Sequence, residues 1–324
     1  MKFSNAVFLD IDSMGPGLDF SALEPMAEHW EKYASTTAEE TLNRVANAEL
    51  IITNKVVLDQ SILSQCKNLQ LICVTATGTN NIDLNSAKQL GIAVTNVTGY
   101  GTASVVQHVF SLILALTTRL NEHSQSSRNG IWHRSANFCV LDYPFNELAG
   151  KTMGIIGYGE LGKGVAKVAR AFGMNVIISQ RPGVQTSPMI ADRVPVDKLL
   201  ADSDVISLHV PLADNTRNLI SSDEFKLMKK SAILINAARG GIVNEAALVN
   251  ALANGEISGA GFDVLSQEPP RSDNPLLKYD KPNLIVTPHI AWGAIESRQR
   301  LLDYVVENIK SFIHGEKRNR VELG

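Results

Sequence analysis

Short apolar runs, rich in β-branched residues, recur along the chain. Each is followed by a turn and then by a stretch with helical apolar spacing. "NAVFLD" (5–10), "AELIITN" (48–54), "LQLICVTA" (69–76) and "GIAVTNV" (91–97) read as strands. Between them "SILSQC" and "NSAKQLG" read as helices, the second closed by Gly91 as a C-terminal cap. The rhythm restarts with "TMGIIG" (152–157), "NVIIS" (175–179), "DVISLHV" (204–210), "AILINAA" (232–238), "GAGFDVL" (259–265) and "NLIVTPH" (283–289). Several of these are apolar almost throughout, as in a parallel sheet covered on both faces. "ELGKGVAKVARAFG" (160–173) and "NEAALVNALANG" (244–255) are the helices between them. This alternation predicts the α/β class, with doubly wound parallel sheets.

A chain of 324 residues suggests two domains at about 100–200 residues each. One domain covers residues 1–98 and the other 99–289. The last segment, "AWGAIESRQRLLDYVVENIKSFIHG" (291–315), reads as one long amphipathic helix. Residues 290–324 are assigned to the first domain, which makes it discontinuous, although periodicity alone does not decide this. "RPGVQTSP" (181–188) reads as a loop.

Apolar residues make up 44% and charged residues 19%, an ordinary balance for a globular protein. The net charge is −3 and no long run of Lys or Arg occurs, so neither nucleic acid nor an anionic membrane is implied as a partner. The short basic tail Lys317-Arg318-Asn319-Arg320 reads as a solvated end. Cys66, Cys73 and Cys139 form no C-x-x-C pair and no metal-ligand spacing. They read as buried thiols in a reducing cytosol, and no metal is expected. The apolar run before Asp10 is too short for a signal peptide. "SVVQHVFSLILALTTRL" (104–120) contains Gln107 and His108 and is shorter than a membrane span. A cytoplasmic location is the expectation.

Gly157, Gly159 and Gly162 have the G-x-G-x-x-G spacing of a dinucleotide-binding turn. Alone the spacing is weak, but a strand runs into it and a helix leaves it. The first glycine makes the turn, the second admits a pyrophosphate and the third lets helix and strand pack closely. Free N–H groups and the helix dipole then face the phosphates. A carboxylate at the end of the next strand would bind both ribose hydroxyls and repel a 2′-phosphate. Here Gln180 stands in that place and Arg181 follows, with no Asp or Glu from Asn175 through Ala191. A guanidinium suits a phosphate, so NADP(H) is the favoured cofactor. The alternative is NAD(H), with Gln180 on the ribose and Arg181 facing water.

Three later strands each end at a charged or titratable residue: Arg239 in "LINAARGGIVNE", Asp263 and Glu268 in "GFDVLSQEPP", and His289 in "IVTPHIAWG". The carboxyl ends of parallel strands are where α/β proteins bind ligands. An Arg, a Glu and a His converging there suit an anionic carbonyl substrate.

The ordered set "TATGTNNIDL", "GYGTASVVQHVF", "LAGKTMGIIGYGELG", "SLHVPL", "NAARGGIVNE", "GFDVLSQEPP" and "TPHIAW" resembles the D-isomer-specific 2-hydroxyacid dehydrogenase family over nearly the whole chain. "TNNIDL" and "SVVQH" are most similar to its glycerate dehydrogenase and hydroxypyruvate/glyoxylate reductase branch. The resemblance implies a Rossmann cofactor domain and a flavodoxin-like substrate domain with a cleft between them. It implies hydride transfer between a nicotinamide cofactor and a short 2-oxo or D-2-hydroxy acid, and a homodimer. The alternatives are a D-3-phosphoglycerate or D-lactate-type dehydrogenase, or a non-catalytic, cofactor-sensing corepressor-like protein.

The resemblance also implies residue roles. Arg239 pairs with the substrate carboxylate, with backbone N–H groups at Gly78 and Thr79. His289 exchanges the proton and Glu268 favours its charged form, as a neighbouring carboxylate does for an imidazole. Thr102, Glu160 and Leu161 lie near the cofactor phosphates. Pro211, Thr216, Ala237 and Ala238 line the cofactor, and Asp263 holds the nicotinamide carboxamide. His209 is read as structural or cofactor-side. His108 and Gln107 are read as satisfied polar groups. Trp132 is read as packing, Trp292 as packing or a pocket wall, and Arg298 as surface. Asn244, where the family often has Asp, caps a helix about as well.

Overall fold

All strands of the first sheet pair in parallel, and its inner strands are the uninterrupted apolar runs that such a sheet buries. The computed structural model describes residues 2–181 and 193–322. The chain divides into two units, Met1–Gly101 with Gly293–Gly324, and Thr102–Trp292.

The first unit contains β1 (Phe3–Phe8), β2 (Ala27–Lys32), β3 (Leu50–Thr53), β4 (Leu71–Val74) and β5 (Ala93–Thr95) in the order β2-β1-β3-β4-β5. β3 and β4 are fully buried, with Leu50, Ile51, Leu71 and Ile72 at the centre. The helices α1 (Ala38–Val45), α2 (Gln60–Leu63) and α3 (Leu84–Gln89) connect the strands. Asp59 and Asp83 cap α2 and α3, accepting from the Ile62 and Ser86 N–H groups at 3.1 and 3.0 Å. β2 carries no apolar run, and only Ala27 of it is buried. It is an edge strand, held by backbone pairing to β1, so hydrophobic pattern does not reveal it.

The second unit contains α4 (Thr102–Thr117), α5 (Leu120–Arg128), β6 (Thr152–Ile156), α6 (Glu160–Ala171), β7 (Asn175–Ser179), β8 (Arg193–Val194) and α7 (Val196–Asp202). It continues with β9 (Val205–Leu208), α8 (Ser222–Leu227), β10 (Ile233–Asn236), α9 (Glu245–Ala253), β11 (Gly259–Phe262), α10 (Pro275–Lys278) and β12 (Leu284–Val286). Its parallel sheet has the order β12-β11-β10-β9-β6-β7-β8, so the winding reverses between β6 and β9. Apolar clusters pack on both faces of the sheet. The expected single helix over 104–120 breaks at Arg119, which adopts φ 52°, and α5 leaves α4 at 60°. Among the described residues, no single helix is long and apolar enough to cross a membrane.

The long final helix, α11 (Ile295–Ile313), belongs to the first unit. Arg298 on it is a staple rather than a surface charge. It donates to the carbonyls of Met14 and Pro16 at 2.6 and 2.9 Å, and to that of Gly293 at 2.9 Å. The basic tail is likewise not simply solvated. Arg320 bridges antiparallel to Thr95, and the Val321 N–H donates to the Val94 carbonyl at 2.9 Å. Glu322 is buried, accepting from the Val94 N–H at 2.9 Å and pairing with Arg320. Only Lys317, Arg318 and Asn319 of the tail are exposed.

Cys66 and Cys73 are buried free thiols, and burial pushes Cys73 up to about 12. Cys139 is only partly buried. Trp132 is exposed, its indole N–H donating to the Phe138 carbonyl at 2.9 Å. The loop expected over 181–188 lies outside the described residues after Arg181.

Candidate active site

The carboxyl ends of β6, β7, β9, β10, β11 and β12 carry almost every singled-out residue of the second unit. The turn after β6 leads directly into α6. Gly157 adopts φ 96°, and a Cβ there would lie 2.4 Å from the His209 carbonyl oxygen. A Cβ at Gly162 would lie 2.1 Å from the Gly157 carbonyl oxygen. Both positions therefore exclude side chains for the sake of the fold. A Cβ at Gly159 would meet nothing within 4 Å. Gly159 borders open space at the amino end of α6, so its bareness serves something other than packing. Glu160 opens α6, and its carboxylate accepts from the Thr102 hydroxyl at 2.5 Å, tying α6 to α4. Leu161 packs against the apolar cluster beneath.

Two buried polar atoms at these strand ends have no hydrogen-bond partner among the described residues, Ser179 Oγ at the end of β7 and His209 Nδ1 after β9. The other His209 ring nitrogen lies 2.9 Å from the Ser207 hydroxyl. Burial depresses His209 to about 4, so the ring is neutral near pH 7. Gln180 is partly buried and Arg181 exposed. Past β9, the Thr216 hydroxyl donates to the Pro211 carbonyl at 2.7 Å and accepts from the Ala213 N–H at 2.8 Å, which closes a tight turn. A turn that excludes Cβ atoms, an open helix terminus and orphaned polar atoms fit a dinucleotide.

Past β10, the Asn236 side chain holds the next turn. It accepts from the Ala238 N–H at 3.1 Å and donates to the Arg239 carbonyl at 3.0 Å. Ala237 is partly buried and Ala238 buried, whereas Arg239 is exposed and donates to the Ala238 carbonyl at 2.7 Å. A Cβ at Gly240 would fall 1.8 Å from the Leu265 carbonyl oxygen, so this turn lies against the segment after β11. In that segment the Leu265 N–H donates to Glu268 Oε1 at 2.9 Å. Glu268 Oε2 lies 2.6 Å from His289 Nδ1. Burial opposes ionisation of Glu268, but the bonds from His289 and the Leu265 N–H, aided by the charges of His289 and Arg239, hold its carboxyl below the usual range. The structure thus pairs Glu268 with His289, and the turn that carries Arg239 lies against the segment that leads to Glu268.

Asp263 is 1% exposed. Its Oδ1 accepts from the Thr287 hydroxyl at 2.6 Å and the Ile290 N–H at 2.9 Å, and its Oδ2 from the Ala291 N–H at 2.8 Å. These bonds brace the turn that carries His289. His108 joins the network from α4, its Nε2 lying 2.9 Å from Thr287 Oγ1, and Ser104 donates to the Ala291 carbonyl at 2.6 Å. His108 is thus satisfied as expected, while Gln107 is exposed. The bracing role of Asp263 joins residues far apart in sequence and leaves no local signal. Trp292 packs on the cluster below and donates to the His289 carbonyl at 3.0 Å. Asn244 caps α9 as expected, accepting from the Ala247 N–H at 3.0 Å. Gly78 and Thr79 belong to the first unit, in the loop after β4.

The model of the D-isomer specific 2-hydroxyacid dehydrogenase NAD-binding domain matches residues 110–291. A glycerate dehydrogenase from Methylorubrum extorquens is 45% identical over 98% of this chain and 98% of its own length. A hydroxypyruvate reductase from Blautia hydrogenotrophica is 39% identical over 97% of this chain and 98% of its own. The solved structure of the TT0316 protein from Thermus thermophilus has a TM-score of 0.84 at 31% identity, covering 98% of this chain and 99% of that one. Fold and glycine turn together define an α/β oxidoreductase with a nicotinamide-cofactor domain. The chain belongs to the D-isomer-specific 2-hydroxyacid dehydrogenase family, which acts on the CH–OH group of donors.

Proposed function

We propose that this protein reduces short 2-oxo acids, hydroxypyruvate and glyoxylate foremost, to D-2-hydroxy acids with NADP(H), and that it does so as a cytoplasmic homodimer. The observation that carries the catalytic reading is the 2.6 Å pair of His289 and Glu268 beside the Arg239 charge. The names of the relatives from Methylorubrum and Blautia support the substrates.

When bound, the dihydronicotinamide supplies a hydride to C2 of the substrate. Arg239 pairs with the substrate carboxylate and polarises the adjacent carbonyl. His289 keeps Nδ1 on Glu268, so Nε2 is the atom that gives its proton to the carbonyl oxygen. That oxygen becomes the hydroxyl and the ring becomes neutral. In the oxidation direction Nε2 takes the proton back. The Glu268 carboxyl is held low and fixes the orientation of the ring through Nδ1. Thr102, Gly157, Gly159, Glu160, Leu161 and Gly162 serve the cofactor phosphates, and Pro211, Thr216, Ala237, Ala238 and Asp263 the rest of the cofactor. Gln180 in place of a carboxylate, with Arg181 after it, supports the 2′-phosphate.

Turnover of hydroxypyruvate and glyoxylate with each cofactor tests the reading. Failure with every short 2-oxo acid refutes the catalytic reading, and a clear preference for NADH refutes NADP(H). His289→Ala should lower kcat by about 10²–10⁴. The dimer reading rests on the exposed apolar side chains of one segment, Trp132, Phe138, Leu141 and Phe145. Phe138 is 91% exposed, and Phe138→Asp should shift the sedimentation coefficient toward a monomer.

A further inference from the structure

Only one guanidinium, that of Arg181, is visible in the sequence beside the ribose-reading position. The structure brings a second one there from further along the chain. β8 pairs in parallel with β7, with Arg193 opposite Ile178 and Val194 opposite Ser179. The Gln180 N–H donates to the Val194 carbonyl at 2.8 Å, which fastens the ribose-reading position to β8. The Arg193 side chain reaches forward to the end of β7, and its Nη1 lies 3.4 Å from the Ser179 carbonyl oxygen. That carbonyl immediately precedes Gln180.

Two features set Arg193 apart from an ordinary strand arginine. It belongs to no ion pair among the described residues. Its one protein acceptor there is a neutral carbonyl, which leaves most of its N–H donors for another acceptor. The same strand end holds the buried Ser179 hydroxyl, which has no partner among the described residues. No acidic residue occurs from Asn175 through Arg181 to repel an anion. A partly buried guanidinium, an orphaned hydroxyl and an exposed arginine at one strand end suit a dianion with several acceptor oxygens.

We propose that Arg193 is a second specificity-determining residue, which binds the 2′-phosphate of NADP(H) together with Arg181. The inference rests on the NADP(H) reading above and deepens it. It differs in placing the discrimination on β8 as well as on the residues that follow β7, so that loss of Arg181 alone leaves a residual preference.

Isothermal titration calorimetry with 2′,5′-ADP and 5′-AMP tests this without turnover. The wild type should bind 2′,5′-ADP more tightly than 5′-AMP. Arg193→Ala should weaken 2′,5′-ADP by about tenfold or more, and change 5′-AMP by less than about twofold. Arg193→Gln keeps a donor for the Ser179 carbonyl but removes the charge. It should show the same selective loss and serves if the alanine variant does not fold. A wild type that binds both ligands alike overturns the NADP(H) reading and this inference with it. A wild type that discriminates, with variants that discriminate equally well, overturns the role of Arg193 alone.

Discussion

Asp263 holds the backbone of His289 in place from behind, although its carboxylate touches neither ring nitrogen. His289 adopts φ 54°, a left-handed conformation that costs a non-glycine residue about 1–3 kcal/mol. The two N–H groups that follow, at Ile290 and Ala291, both donate to the Asp263 carboxylate. An unstrained backbone would not aim them at one buried acceptor, so the turn and the carboxylate depend on each other.

Asp263→Asn should therefore destabilise the protein by about 3 kcal/mol, since one of two N–H donors loses its charged acceptor. Thermal scans should show the loss, and kcat should fall as His289 loses its fixed place. Unchanged stability with weakened cofactor binding would instead assign Asp263 to the nicotinamide carboxamide alone.

Glu268→Gln should lower kcat for reduction by about tenfold or more, with little effect on KM. The substitution leaves the shape of the side chain but removes the charge that faces His289 Nδ1. The wild-type carboxyl is held low in the fold, so its stabilising effect is present above the ordinary carboxylate range. That effect is lost as pH falls through the lowered value. Urea midpoints measured on the acid side should fall less steeply for the Gln variant.

His209 gives the opposite kind of group, a base held neutral. Its value falls from 6.5 to about 4 in the fold, so the unfolded chain binds the proton first. Stability should then drop as pH falls from about 6.5 to 4, by roughly 3 kcal/mol in all. His209→Gln should flatten that part of the stability profile. An unchanged slope would show that the ring is not buried neutral.

Gly159→Ala and Gly162→Ala separate function from fold within one turn. The Cβ of Gly162→Ala would strike the Gly157 carbonyl, and the variant should lose about 1–3 kcal/mol of stability. The Cβ of Gly159→Ala enters open space, so its stability should stay near wild type while cofactor affinity falls. Quenching of cofactor fluorescence and thermal scans together read the difference.

The interior strands were legible because they are buried on both faces and read as unbroken apolar runs, as "ILIN" of β10 and "LIIT" of β3 do. β2 and β8 were not, because edge strands such as "AEHWEK" need only backbone pairing. The ends of the strands were legible as places where charge follows an apolar run, which singled out Arg239, Glu268 and His289. The bracing by Asp263, His108 and Ser104 was not. Hydrogen bonds between Ser104 and Ala291, or His108 and Thr287, leave no trace in any local window. Arg298 and the tail escaped for the same reason, since their partners Met14 and Val94 lie more than two hundred residues away in sequence.

That long reach has a consequence for synthesis. The second unit is contiguous, and all its strands have been made once residue 292 has left the ribosome. The first unit starts earlier but finishes later. The carbonyls of Met14 and Pro16 wait for Arg298, and the Val94 N–H waits for Glu322. During translation the first sheet therefore stays incomplete the longer, with its β5 edge unpaired until residues 320–322 emerge.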